Sequence, residues 1–305
     1  MVARGLSVAV ALVADRVLGE PPTPVHPVAW FGRTMGAVEE RLYDDRRGAG
    51  VAHAAAGLAL GAAAGVAARS TAVATYVAVA GRALRDAATD VDRALAEGDL
   101  DGARACLPAL VGRDPHELDE AGVVRAAVES LAENTVDAVV APALWALALG
   151  APGVLAHRAV NTMDAMVGHR TERYEQYGWA AARLDDGAAW LPARATAALV
   201  AACRPGAATA VWRAVRQDAP AHPSPNSGVA EAAFAAALGV TLGGETRYGD
   251  RVEPRPRLGD GRAPERRDIE RAIALSRDVT LALAVAVVAV GPAARRGRAR
   301  ARLDP

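Results

Sequence analysis

The sequence predicts an all-α fold, a polytopic membrane helical bundle with short or re-entrant helices and polar helical loops, on three observations. Apolar stretches recur at Leu6 to Ala14, Val51 to Ala68, Thr71 to Ala80, Val136 to Ala156, Ala188 to Cys203 and Val279 to Ala294. Gly57, Gly61 and Gly65 stand four residues apart in an uncharged run, which puts three small residues on one helix face where a second helix can come close. In a soluble helix each would cost on the order of 1 kcal/mol against Ala. Alternating Val-rich strand patterns are absent.

Taken in order, Leu6 to Ala14 behind Arg4 has the outline of a secretory signal, but no small-x-small cleavage site precedes Asp15. It is expected to stay as a first membrane helix. Arg69 divides Val51 to Ala80, so the two halves are expected to return to one side as a hairpin. Arg82 to Glu120 reads as helices punctuated by Gly98, Pro108 and Pro115. Val136 to Ala156 is expected to break at Gly150-Ala-Pro152. Val279 to Ala294 spans roughly 24 Å as a helix, short of a hydrocarbon core of about 30 Å.

Asp218 to Arg267 holds much of the Pro and Gly, and 249–267 is expected to be an exposed loop. Five arginines in 295–305 follow the last apolar run, a tail that the positive-inside rule puts in the cytoplasm. The whole of 1–305 reads as a single membrane-embedded domain. The alternative is a soluble Ala-rich helical protein, because Arg69 and Arg194 interrupt apolar runs and the mean hydropathy of +0.10 is low for a membrane protein.

Composition excludes several functions. The formal net charge is zero and no basic stripe is interleaved with aromatics, which argues against nucleic acid. All 35 basic residues are Arg, so no GxxxxGK[ST] loop exists, and no GxGxxG follows a strand. Cys106 and Cys203 lie far apart and form neither a CxxC pair nor a zinc site.

Three polar constellations remain. Glu129, Glu133 and Asp137 fall at i, i+4 and i+8, so in a regular helix three carboxylates share a face at a membrane entry point. Like charges so spaced repel unless a cation neutralises them, and hard oxygen ligands suit Mg²⁺. A solvated helix face is the alternative. Next come Asn161, Asp164, Arg170, Glu172, Arg173, Tyr174, Arg183, Asp185 and Asp186. If helical, Arg170, Arg173, Tyr174 and Tyr177 share a face suited to phosphate, while a salt-bridge network is the equal alternative. In His222-Pro-Ser-Pro-Asn-Ser-Gly228, Ser224, Asn226 and Ser227 offer donors for a phosphate ahead of a helix starting near Glu231. A plain helix-capping turn is the alternative there, and His222 is either an acid-base group or structural.

These residues resemble the adenosylcobinamide-phosphate synthase, or CobD/CbiB, family of cobalamin assembly. The resemblance rests on Asp15-Arg-x-Leu-Gly-Glu-Pro-Pro, His26-Pro-Val, Gly32-Arg33, Glu129-Ser-x-Ala-Glu-Asn-x-Val-Asp and Ala159-Val-Asn-Thr-Met-Asp-x-Met-Val-Gly168. It continues through Glu172-Arg-Tyr174, Gly178-Trp-Ala-Ala-Ala-Arg-Leu-Asp-Asp186, Pro192-Ala-Arg194, His222-Pro-Ser-Pro-Asn226, Glu231-Ala-Ala233, Leu242-Gly-Gly244 and Tyr248-Gly249. The motifs run in the family's order from Asp15 to Gly249 and cover most of the chain.

The resemblance implies a multi-pass enzyme of the cell (inner) membrane with a cytoplasmic site. It would join (R)-1-aminopropan-2-yl phosphate, or aminopropanol, to the propionate carboxyl of adenosylcobyric acid, a corrinoid, with ATP and Mg²⁺. Glu129, Glu133, Asp137, Asp164 and His222 would then be the catalytic candidates. Glu129, Glu133, Asp137, Asp164, Asp185 and Asp186 would be the metal candidates. Arg158, Arg170, Arg173 and Arg183 would hold phosphates, with Asn161, Ser224 and Asn226 orienting substrate. Membrane lipid and other late cobalamin-assembly enzymes are the expected partners. His157 and His169 stand where relatives often carry Tyr, and Val229 where a larger aromatic is common. Two rivals stay open: an AmpE-like non-catalytic sensor, which should lack the Glu129 to Asp137 and His222 to Asn226 clusters together, and a corrinoid transporter, which internal repeats would support.

Overall fold

The computed structural model describes residues 2–21, 23–111, 115–169, 171–248 and 251–300, without the side chains of 23, 245–248, 251–254 and 290–300. The protein is 79% helical, as its sequence predicts. In chain order the helices are α1 (Val2–Leu18), α2 (Pro27–Leu42), α3 (Arg47–Ala68), α4 (Thr71–Ala78), α5 (Gly81–Ala96), α6 (Leu100–Cys106) and α7 (Glu120–Thr135). A π-helical turn, Val136–Val140, leads into α8 (Ala141–Leu149) and α9 (Ala151–Val167). Then come α10 (Trp179–Cys203), α11 (Ala208–Gln217), α12 (Ser227–Leu238), the strands β1 (Leu242–Tyr248) and β2 (Arg251–Leu258), and α13 (Arg267–Arg300). Where the sequence reads as one domain, the fold groups into two compact units, each discontinuous: 1–80, 137–189 and 283–305 form one, 81–136 and 190–282 the other.

In the first unit the glycine face of α3 packs on α9. A methyl group added at Gly57 would overlap the Met163 sulfur; at Gly61 it would meet Ala159 and Leu155, and at Gly65 the backbone of Ala151 and Pro152. Small residues at this spacing let the two backbones close on each other, the packing that membrane helices use where no hydrophobic effect drives association. Met35, Val160, Met163, Val167, Tyr177 and Ala181 make the buried core beside this seam. α1 packs on α4 and buries Val8, Ala11, Leu12 and Asp15.

Both breaks read from the sequence occur. Arg69 takes a left-handed conformation, φ 54°, at the end of α3, and the Ser70 hydroxyl accepts the Val73 N–H at 3.3 Å to open α4. With 8 residues, α4 is about 12 Å long and falls well short of the bilayer. Gly150, at φ 73°, separates α8 from α9, and the two helices pack on each other. Short, returning helices of this kind put backbone ends at membrane depth only where protein covers them.

Three described segments are long and apolar enough to cross a membrane: Arg47–Ala68, the run Glu120–Val167 that Gly150 interrupts, and Arg267–Ala289. The last begins twelve residues before Val279, and its 23 residues to Ala289 span about 34 Å. The helix continues through 295–300 of the basic tail, whose remaining residues lie outside the described ones.

In the second unit, α5 is amphipathic, burying Leu84, Ala88, Val91 and Leu95 along one face. Asp99 caps α6 by accepting the Gly102 N–H at 2.8 Å, and Asp119 caps α7 by accepting that of Gly122 at 2.7 Å. The fully buried Asp268 carboxylate at the head of α13 accepts two bonds from Arg262, at 2.7 and 3.0 Å, and one from Arg271 at 2.6 Å. α12 packs on α7.

The exposed loop expected at 249–267 is corrected over 251–258. Residues 251–258 form β2, which pairs antiparallel with β1, with Leu242 opposite Leu258 and both fully buried. Pro254 and Pro256 concealed the strand. Proline removes a ladder donor, but each strand of a two-stranded sheet keeps one open edge where none is needed. A register shift between Leu242 and Gly244 lies where Gly243 and Gly244 have φ 68° and 83°, the conformation of a glycine bulge. Residues 249–250 lie outside the described ones.

The packing predicts that Gly61→Leu, which forces a side chain into α9, destabilises the detergent-solubilised protein by about 1–3 kcal/mol or more. Gly48→Ala, where an added methyl meets nothing, should not lower the unfolding midpoint.

Candidate active site

Each unit gathers a polar cluster. In the first, the π-helical turn places Asp137, and the following helices bring Asn161 of α9 and Asp185 of α10 beside it. The Asn161 amide nitrogen donates to Asp137 Oδ2 at 3.3 Å and to Asp185 Oδ1 at 3.4 Å, while its oxygen accepts from Arg158 Nη1 at 3.2 Å. One amide thus links two carboxylates to one guanidinium. Arg158 also lies within electrostatic reach of Glu20 and Asp137.

His26, at the start of α2, stands within electrostatic reach of Arg158. Its Nδ1 accepts the Val28 N–H at 3.2 Å, a side-chain cap ahead of Pro27 at the first helical position. Burial pushes its imidazole below the ordinary histidine range, and the Arg158 charge acts in the same direction. Between α2, α3, α4 and α9 lies a cavity of about 70 Å³ with apolar walls and Arg158 at its edge.

The second cluster is built on α7 and α12. Ser227 Oγ donates to Glu133 Oε1 at 2.7 Å, and the buried Glu129 accepts the Gly243 N–H at 2.8 Å. The Ser224 hydroxyl accepts the N–H groups of Asn226 at 3.3 Å and Ser227 at 3.2 Å. Arg194 Nη1 donates to Asn226 Oδ1 at 3.3 Å. His222 Nδ1 accepts the Ser224 N–H at 3.1 Å, and its Nε2 stands 3.7 Å from the buried Glu231 carboxylate.

Several expectations from the sequence are corrected by this geometry. The face shared by Glu129, Glu133 and Asp137 is interrupted, because the wider π turn begins at Val136 and shifts the side-chain angle before Asp137. The three carboxylates take separate partners: a backbone N–H, a serine hydroxyl and an asparagine amide. Among the described residues no three His, Cys, Asp or Glu side chains gather closely enough to hold a metal. The helix expected near Glu231 begins at Ser227, and Ser224 caps it, the capping alternative. His222 has one nitrogen on the backbone and the other facing Glu231, an arrangement that fixes the ring.

The helix that would align Arg173, Tyr174 and Tyr177 on one face does not form among the described residues. Residues 171–178 form consecutive turns, and Arg170 lies outside the described residues. Arg173 pairs with Glu39 at 3.1 Å and stacks on Tyr43, with its guanidinium carbon 4.1 Å from the ring centre. Arg183 pairs with Asp186 at 3.1 Å. The Arg183–Asp186 pair belongs to the salt-bridge alternative, whereas Arg173 takes a partner outside that set, Glu39. Asp164 sits near the end of α9, its carbonyl accepting the Gly168 N–H at 2.7 Å.

Of the metal candidates, Asp137 and Asp185 fit best. Mg²⁺ keeps several waters and takes one or two protein carboxylates together with substrate phosphates, so a pair bridged by Asn161 with an arginine adjacent is a suitable donor set. Glu20, His26, Arg194 and Glu231 join these clusters without having been singled out as site residues. All four stand inside the signature motifs, which was the available signal.

His26 carries a testable pH dependence. Because its folded value is depressed, its contribution to stability is fully present above the unfolded value of about 6.5 and is lost as pH falls from there toward the folded one. The unfolding midpoint of the wild type should therefore drop more between about pH 7.5 and about pH 5.5 than that of His26→Gln.

The family model described as CobD/Cbib protein matches residues 8–276. A Mycobacterium tuberculosis protein named "Cobalamin biosynthesis protein CobD" is 47% identical over 298 residues, covering 93% of this chain and 95% of its own length. Proteins of the same name from Chromobacterium violaceum and Rhodobacter capsulatus are 45% identical over 283 residues and 40% identical over 303. They cover 87% and 92% of this chain and 90% and 96% of their own lengths. No solved structure matches the chain.

Proposed function

The chain belongs to the CobD/CbiB family, and from that membership we propose that it joins (R)-1-aminopropan-2-yl phosphate, or aminopropanol, to the propionate carboxyl of adenosylcobyric acid. The names of its relatives give the broader role, cobalamin biosynthesis. The product would be adenosylcobinamide phosphate, formed with ATP at the cytoplasmic face of the cell membrane.

The observation that carries this reading is the bridge from Asp137 through Asn161 to Asp185, with Arg158 on the other side of the same amide. A carboxylate is a poor acyl donor until it is phosphorylated. Its oxygen attacks the terminal phosphorus of ATP and ADP leaves; the amine then attacks the acyl carbon, phosphate leaves, and one N–H proton is lost. Both halves move negative charge, so fixed cationic and N–H donors stabilise them.

Mg²⁺, held by Asp137 and Asp185, would neutralise phosphate charge. Asn161 keeps the two carboxylates at one separation, and Arg158 offers the cation that pairs with a phosphate oxygen. Glu129 and Glu133 are engaged elsewhere and support the packing of α7 against the hairpin and α12.

The test is incubation of the purified protein with adenosylcobyric acid, the amino-alcohol phosphate and Mg-ATP, following corrinoid mass and ADP release. Amide product should form with one ADP per bond, and Asp137→Asn and Asp185→Asn should each slow it by on the order of 100-fold or more. Glu133→Gln should act mainly on stability. Intact corrinoid crossing vesicles without product would sink the ligase and favour transport.

A further inference from the structure

Besides the two ring nitrogens of His157, two buried nitrogens in the first unit have no hydrogen-bond partner among the described residues: Nε of Arg158 and Nε2 of His26. His26 is 7% exposed, and because its Nδ1 accepts the Val28 N–H, the neutral ring carries its proton on Nε2. Both unpaired atoms are therefore donors. Burying a donor without an acceptor is unfavourable, and a ligand oxygen would satisfy it.

Their surroundings define what that ligand is. Arg158 lines the cavity of about 70 Å³ with Pro27, Val28, Phe31, Val77 and Leu155, so the two residues after His26 are part of its wall. Glu20 and Asp137 act electrostatically on Arg158 from the polar side. A simple anion would meet those two carboxylates unfavourably, and a simple cation would meet Arg158. A short zwitterion answers both signs at once. The volume admits about five water-sized positions, room for a small alkyl branch and too little for a nucleobase or a corrin ring.

We propose that this is the seat of an aminoalkyl phosphate ester. The phosphate accepts from Arg158 Nε–H and His26 Nε2–H, the ammonium faces Glu20, and the alkyl branch enters the apolar cavity. The assignment rests on the ligase reading above, for whose amine substrate it names the binding residues.

Calorimetric titration of the full-length detergent-purified protein tests it with three probes: (R)-1-aminopropan-2-yl phosphate, ethanolamine phosphate and inorganic phosphate. The wild type should bind the branched ester about tenfold more tightly than ethanolamine phosphate, the value of one methyl group in an apolar pocket, and inorganic phosphate most weakly. His26→Phe and Arg158→Gln should each weaken the branched ester by roughly tenfold or more while leaving adenosylcobyric acid binding intact. Val77→Phe, which fills the cavity from α4, should abolish the preference for the branched ester.

Equal wild-type affinity for the two esters, or a preference that survives Val77→Phe, would overturn this seat. In that event continued amide formation would leave the ligase reading standing. The opposite result, selective binding that depends on His26 and Arg158 without any amide product, would retain the seat and remove the ligase.

Discussion

The close approach of α3 to α9 is the constraint on which the first unit depends. Three glycines on α3 remove the side chains that would hold the helices apart, and α9 lies against them with Ala159, Leu155 and the Ala151-Pro152 backbone. Arg158 and Asn161 project from that same α9. Their positions relative to α2, α3 and α4 therefore follow from backbone-to-backbone packing. Such packing is stiff, because interiors at native density have no slack for a small shift. A site that must hold two like charges at a fixed separation benefits from a support of this kind.

The two polar clusters solve the cost of buried charge differently. In the first, opposite signs surround one amide, so each carboxylate faces a donor or a cation. In the second, the partners are mostly backbone N–H groups and hydroxyls: Glu129 takes the Gly243 N–H, Glu133 the Ser227 hydroxyl, and Ser224 caps α12. Donors fixed by secondary structure orient a side chain firmly. That is the character of a scaffold more than of a site that exchanges ligands, and it explains why the densest acidic motif in the sequence divides its work between structure and chemistry.

Much of the fold was legible. The glycine spacing announced a close-packing face on α3, Arg69 and Gly150 announced the breaks, and the stretch from Arg82 to Glu120 announced helices. The hairpin was not, because Pro254 and Pro256 argue locally against a strand whose second edge is open. The site was half legible. Residue types marked Asp137, Arg158, Asn161 and Asp185, but the i, i+4 rule assumes 3.6 residues per turn, and the wider turn at 136–140 breaks it before Asp137. The arginines were misjudged for another reason: charge content is visible in sequence, whereas the pairing of Arg173 with Glu39, over a hundred residues away, depends on tertiary contact.

The π-helical turn at Val136–Val140 also bears on how this segment tolerates changes of length. A wide turn holds one residue more than an α-helical turn, so removing a single residue there would let the run close into regular helix. Everything downstream would then be rotated by about 100° about the axis and drawn back by about 1.5 Å. Insertions and deletions that surface loops absorb would here change which side chains of α8 face inward. Residues 136–140 should therefore keep their number across evolution more strictly than their identity.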